Sequence, residues 1–66
     1  MKDYDRSIAD YDASLKINPK NAWSLYGRGI ARLRKQEIMT GTTDIDSAKA
    51  VRPQVADDFK RWGIMP

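Results

Sequence analysis

The sequence predicts an all-α fold built from antiparallel helix-turn-helix pairs, with about four helices. Apolar residues near its start recur at spacings of four, three and four, namely Tyr4, Ile8, Tyr11 and Leu15, and this spacing places them on one stripe of a helix. The interval from Pro19 to Pro53 equals the length of one kind of two-helix repeat unit, and we refer to it as the repeat offset. No segment alternates apolar and polar residues as a half-buried strand would.

The first helix is predicted at residues 3–17. It ends before Pro19, because a residue that precedes proline is disfavoured in the α region. Asp3 and Asp5 fall in its first turn, where a negative charge is favoured by the helix dipole.

The second helix is predicted at residues 22–35, with Asn21 as its N-cap. Gly27 and Gly29 each cost about 1 kcal/mol relative to alanine in a helix interior. We therefore expect neighbouring helices to approach closely at these two positions. The helix also carries two apolar sub-faces, which indicates packing neighbours on both sides.

The third helix is predicted only from Thr43 to Val51, with Asp44 and Asp46 in its first turn. Residues 40–43 are typical of a break or of a late helix start with a threonine cap, so the state of residues 37–43 is left open. A short fourth helix is predicted at about residues 54–61, followed by a glycine C-cap at Gly63.

The composition disfavours an enzyme. A chain of 66 residues is one small domain with little volume for an enclosed active site. It has no cysteine and no histidine, which excludes disulfides and zinc–thiolate sites and removes the commonest general base. We expect no catalytic residue, no metal site and no cofactor.

The sequence contains no run of about 18 apolar residues and no pattern typical of a signal peptide. No membrane partner is therefore expected. The compartment stays unknown, with the cytoplasm as the default expectation.

The net charge of +3 comes from one segment. Residues 22–36 contain four basic residues and no acidic one, whereas acidic and basic residues nearly balance on both sides of it. Such a cluster is able to contact nucleic acid or the acidic helix beside it.

Superposing the chain on itself with the repeat offset pairs large with large, small with small and proline with proline: Tyr4 with Ile38, Ser7 with Gly41, Tyr11 with Ile45, Ser14 with Ala48 and Pro19 with Pro53. On these residues the chain resembles the tetratricopeptide repeat family over roughly residues 3–53. The segment at residues 4–12 is similar to many bacterial repeats of this family.

The resemblance implies a single domain over residues 1–66. Residues 3–19 would be the second helix of an incomplete repeat, residues 22–53 one degenerate repeat, and residues 54–63 a capping helix. Because the chain begins in mid-repeat, we expect a fragment of a longer array or one partner in an exchanged assembly. The second repeat departs from the family pattern at Leu25, Arg28, Arg32 and Lys49.

The resemblance also implies a scaffold for protein–protein interaction, whose second helix lines a groove for a peptide ligand. The candidate partner-binding residues are Trp23, Tyr26, Gly27, Ile30, Leu33 and Arg34. The competing interpretation is that this face covers a helix, the Ile64-Met65 tail, or a second copy of the chain in a homodimer. The residues with which some family members hold a peptide carboxylate are absent here.

Arg28, Arg32 and Lys35 form a basic stripe that could contact an anion or an acidic partner. We expect it to pair instead with Asp5, Asp10 or Asp12 or to be solvated. Weak nucleic-acid binding through the stripe and Arg34 is an alternative function, although aromatic side chains that would support it lie on another face. A terminal cap without a ligand of its own is the third interpretation.

Overall fold

The structure is a computed structural model that describes residues 3–61. Within this range the chain forms four α-helices and no strand: α1 (Tyr4–Ile17), α2 (Ala22–Arg34), α3 (Ile38–Val51) and α4 (Val55–Arg61). The predicted all-α class is confirmed. The predicted C-cap at Gly63 and the apolar tail lie outside the described residues.

Side-chain caps define the start of the first two helices. Asn21, the predicted N-cap of α2, accepts a hydrogen bond on its side-chain oxygen from the backbone N–H of Ser24 at 3.2 Å. Asp3 was expected inside the first turn of α1, but it is the residue before the helix. Its carboxylate accepts a hydrogen bond from the backbone N–H of Arg6 at 3.0 Å. Both contacts satisfy a donor that a helix start leaves without a partner.

The third helix extends beyond the part predicted from Thr43 to Val51, because α3 begins at Ile38 and includes most of the segment whose state the sequence left open. The threonine hydroxyls do not break it. The hydroxyls of Thr40 and Thr43 donate to the carbonyl oxygens of Glu37 and Met39, at 3.3 and 2.8 Å, which is a pattern found within helices. Asp44 and Asp46 consequently lie in the middle of α3, not in its first turn.

The close packing of α3 against α2 explains why α3 contains a glycine at position 41. A Cβ atom added to Gly41 would lie 2.9 Å from the carbonyl oxygen of Gly29, so the two glycines allow the backbones of α2 and α3 to approach closely. The contact between the helices offsets the low helix propensity of Gly41.

The second helix lies at the centre of the fold and packs against α1, α3 and α4. Its two apolar sub-faces supply half of the buried core, and the remainder comes from one or two residues of each neighbouring helix. The core residues are Leu15, Ala22, Leu25, Tyr26, Ile30, Ala48, Val55 and Phe59. Residues that lie between α2 and its neighbours are therefore the place to look for a binding surface.

Candidate partner-binding groove

A concave surface lies between α1 and α2, and we refer to it as the α1/α2 groove. Its volume is about 150 Å³, and a cavity of that size elsewhere holds one aromatic ring. Three residues of α1 and four of α2 line it: Tyr4, Ser7, Tyr11, Gly27, Ile30, Ala31 and Arg34. The lining is therefore mostly apolar or small, with two tyrosines on one wall and an arginine on the other.

The groove depends on a close contact between Tyr11 and Gly27. A Cβ atom at Gly27 would lie 2.4 Å from Cζ of the Tyr11 ring and 2.6 Å from its hydroxyl oxygen. The end of the ring thus lies directly against the backbone of α2, in space that any other side chain would occupy. This contact explains the first of the two helix-interior glycines.

The six residues predicted to bind a partner do not share one surface. Gly27, Ile30 and Arg34 line the α1/α2 groove. Tyr26 is only 6% exposed, and its ring centroid lies 4.7 Å from that of Phe59 in the core.

The other two predicted residues face different helices. Leu33 contacts the position of Gly41 on α3, and Trp23 lies beside α4. As a partner-binding set, the six residues stay a prediction.

Trp23 belongs to a polar cluster that fastens α4 to α2. Its indole Nε1 donates to Oδ2 of Asp58 at 3.2 Å, and Arg52 Nε donates to the same oxygen at 2.6 Å. The Arg52 guanidinium also lies 5.0 Å from the centroid of the Trp23 ring, which is within the range of a cation–π contact. The hydrogen bond from Arg52, followed by that from Trp23, holds the pKa of Asp58 below its ordinary value.

The basic stripe is neutralised by carboxylates of both neighbouring helices. Arg28 donates to the two oxygens of Asp44 at 2.8 and 2.9 Å and to Asp12 at 2.7 Å. Arg32 donates to Asp44 at 3.0 Å. The hydrogen bonds to Asp44, and then the one to Asp12, raise the pKa of Arg28 above its ordinary value despite partial burial.

Asp44 is the partner that the sequence did not predict. It is 5% exposed, and two arginines share its carboxylate. The sequence had indicated Asp5, Asp10 or Asp12 instead. Asp12 does pair with Arg28, and Lys35 pairs with Asp5 and Glu37, which raises the pKa of Lys35.

Tyr4, Ser7, Tyr11 and Ala31 are groove residues that the sequence did not assign to the site. Tyr4 and Tyr11 were recognised as part of the apolar stripe of the first helix. The pairing of Ser7 and Tyr11 with Gly41 and Ile45 at the repeat offset was the available signal, because it marks them as residues that face a helix.

A family model described as TPR repeat matches residues 1–36 of the chain, which is more than half of its length. The chain belongs to the TPR repeat family. Neither a curated protein nor a solved structure gives a match. The matched residues cover α1 and α2, the two helices that form the α1/α2 groove.

TPR repeats are non-enzymatic scaffolds that generally mediate protein–protein interaction, and their usual ligands are proteins or peptides. Over residues 3–61 of this TPR chain, no three potential ligand side chains come together in a way that could hold a metal ion. No helix in that range has the length and apolar character needed to cross a membrane.

Proposed function

We propose that the chain binds a segment of a partner protein in the α1/α2 groove. The observation that carries this proposal is an open concave surface, lined by residues of two helices that the family match covers. Among the groove residues Gly27, Ile30 and Ala31 of α2 are buried, whereas Tyr4, Ser7 and Tyr11 of α1 are only half-buried and Arg34 is exposed.

The side chains of the groove suit protein recognition. Tyrosine and arginine are enriched among the residues that contribute most to protein interfaces, and the groove contains Tyr4, Tyr11 and Arg34. Ser7 is small, so that the backbone of a partner segment is able to approach α1 between the aromatic and basic side chains.

We further infer the repeat register. The first helix is the second half of a repeat, α2 and α3 together form one degenerate repeat, and α4 is a capping helix. The support is that α1 and α3 carry matching residues at the repeat offset, while Val55 and Phe59 of α4 are buried in the core that α2 supplies.

The experiment is to fill the groove. Ser7→Trp places a large side chain on the groove wall, and Ala13→Trp adds the same side chain at an exposed position of α1 outside the groove. Peptides of about 12 residues are selected on the full wild-type chain by phage display, and their dissociation constants are measured for both variants. We expect Ser7→Trp to weaken binding more than about tenfold, a difference of about 1.4 kcal/mol or more, and Ala13→Trp to leave it unchanged.

Two further measurements make the result decisive. Circular dichroism checks that both variants keep the helical signal, and NMR titration of the wild type follows the backbone amides of Gly27 and Ala31. Equal affinity of both variants, with no shift at these amides, would show that the partner binds elsewhere.

Other occupants and ligands are separate outcomes. A second copy of the chain in the groove would give a concentration-dependent mass in light scattering. Nucleic-acid binding would give an affinity that falls steeply with salt. We do not propose it, because Arg28, Arg32 and Lys35 are already paired with carboxylates.

A further inference from the structure

The first and third helices carry the same four-residue pattern on one face. At the repeat offset the pattern pairs Ser7 with Gly41, Asp10 with Asp44, Tyr11 with Ile45 and Ser14 with Ala48. On α3 this face is covered by α2, and Gly41, Asp44 and Ala48 are buried. On α1 the described residues cover the same face only in part, through the contact of the Tyr11 ring with Gly27. Asp10 and Ser14 are exposed, and the other two residues line the α1/α2 groove.

The way α2 packs on α3 shows what this kind of face accepts. Gly29 lies at the crossing point, where an added Cβ would be 2.6 Å from Ile45 and 2.8 Å from the carbonyl oxygen of Gly41. Arg28 and Arg32, four residues apart on α2, both donate to Asp44. The face thus takes a helix with a small residue at the crossing and a basic pair along one edge.

Asp10 is the counterpart of Asp44, and within residues 3–61 it makes no ion pair. Since Ser7 and Asp10 are three residues apart, they are neighbours on the surface of α1, so that Asp10 is next to a residue that lines the groove. Its charge is complementary to a basic pair like the one that α2 presents to Asp44.

We propose that the occupant of the α1/α2 groove is a basic amphipathic helix of a partner protein. It would cross α1 through a small residue and direct two basic side chains, four residues apart, at Asp10. This inference rests on the function proposed above and names the chemistry of the partner for the same groove.

A second copy of the chain is a poorer source of such a helix. Of the four helices α1 to α4, only α2 contains two basic residues four apart. Those residues, Arg28 and Arg32, are bound to Asp44 of the same chain. Exchange of α2 between two copies would therefore have to separate α2 from α3. The contact between these helices buries Gly29, Gly41 and part of the core.

The test uses a probe with the required chemistry. A fluorescein-labelled peptide with the sequence of residues 21–36 carries the side chains that pack on α3. It is titrated into the full chain and into two variants, with fluorescence anisotropy as the readout. Asp10→Asn removes the proposed contact, and Asp46→Asn removes an exposed carboxylate of α3 as the matched control. A second peptide replaces Arg28 and Arg32 with glutamine.

We expect Asp10→Asn to weaken binding of the arginine peptide about tenfold, equal to about 1.4 kcal/mol, and Asp46→Asn to leave it unchanged. The glutamine peptide should bind the wild type and Asp10→Asn equally, because it lacks the charges that would contact Asp10. The two peptides and the two proteins form a double-mutant cycle, which assigns the lost affinity to the contact between the charges.

The other outcomes separate the two proposals. If Ser7→Trp blocks the peptide but Asp10→Asn has no effect, the groove is right and the basic helix is wrong. A peptide that displaces the chain's own α2 from α3 would bind without dependence on Asp10, which also overturns the inference. Self-association that Asp10→Asn reduces would replace the partner helix with a second copy. Peptide binding that neither Ser7→Trp nor Asp10→Asn changes contradicts both proposals.

Discussion

Replacing Gly29 with alanine tests the close contact between α2 and α3. Helix propensity alone predicts that Gly29→Ala stabilises the protein by about 1 kcal/mol. The structure predicts the opposite, because the added Cβ would lie 2.8 Å from the carbonyl oxygen of Gly41 and 3.1 Å from the backbone nitrogen of Ile45. These backbone atoms belong to α3 and move only if the helices separate.

The size of the effect follows from these two opposing contributions. Overpacking a well-packed contact costs about 1–3 kcal/mol. The cost at Gly29 should be near the upper end of this range, because the neighbouring atoms belong to the backbone and cannot move aside. Subtracting the propensity gain leaves a net loss of about 2 kcal/mol. For a chain of 66 residues the free energy of unfolding is about 3–10 kcal/mol. The variant should therefore melt about 8–16 °C lower than the wild type.

Gly27→Ala is the matched control in the same helix. The three atoms nearest to its added Cβ all belong to the end of the Tyr11 side chain, which can swing toward the open groove. The cost of that movement and the propensity gain nearly offset each other, so the stability should stay within about 1 kcal/mol of the wild type.

Urea denaturation followed by circular dichroism in the far ultraviolet measures both glycine variants. The midpoint of Gly29→Ala should fall by roughly 2 M urea if the slope is about 1 kcal/mol/M. Equal midpoints for the two variants would refute the reasoning, since propensity would then outweigh the contact between the two helices.

Two further predictions concern the ion pairs. Asp44→Asn should destabilise the protein by about 3 kcal/mol, because it leaves Arg28 and Arg32 partly buried without their shared carboxylate. Asp12→Asn should cost at most about 1 kcal/mol, as the Asp12 side chain is 50% exposed, and equal midpoints in urea would contradict this difference. The lowered pKa of Asp58 means that its ionised form stabilises the fold above the ordinary aspartate pKa of about 3.9, a contribution lost as the pH falls through the lower folded value. The wild type should therefore be more stable than Asp58→Asn at neutral pH, with the difference closing below about pH 4.

The sequence was sufficient to predict helix boundaries where residues at the boundary itself determine them. Pro19 and Asn21 mark the end of α1 and the start of α2, and both predictions agree with the structure to within one residue. The start of α3 was left open because Thr40 and Gly41 have low helix propensity. Only the neighbouring Gly29 shows that Gly41 is favoured there, and that contact joins residues far apart in sequence.

The same distinction applies to the candidate site. A helical projection places Tyr26, Ile30 and Leu33 on one broad apolar face of α2, but three neighbouring helices divide that face among them. Ile30 alone of these three lines the α1/α2 groove. Asp44 was missed for a related reason, because a helix predicted to start at Thr43 places this aspartate at its solvated end and not beneath two arginines.

The α1 and α3 faces share a charge pattern but differ in the size of their side chains, and this difference bears on how a partner helix would bind. Gly41 of α3 lets the backbone of α2 approach closely, whereas its counterpart Ser7 on α1 adds a Cβ and a hydroxyl. A helix on α1 must therefore lie farther from the backbone than α2 lies from α3, with fewer buried contacts. Affinity in the groove would then depend more on the tyrosines and on Asp10, and such a contact exchanges more readily than a close-packed one.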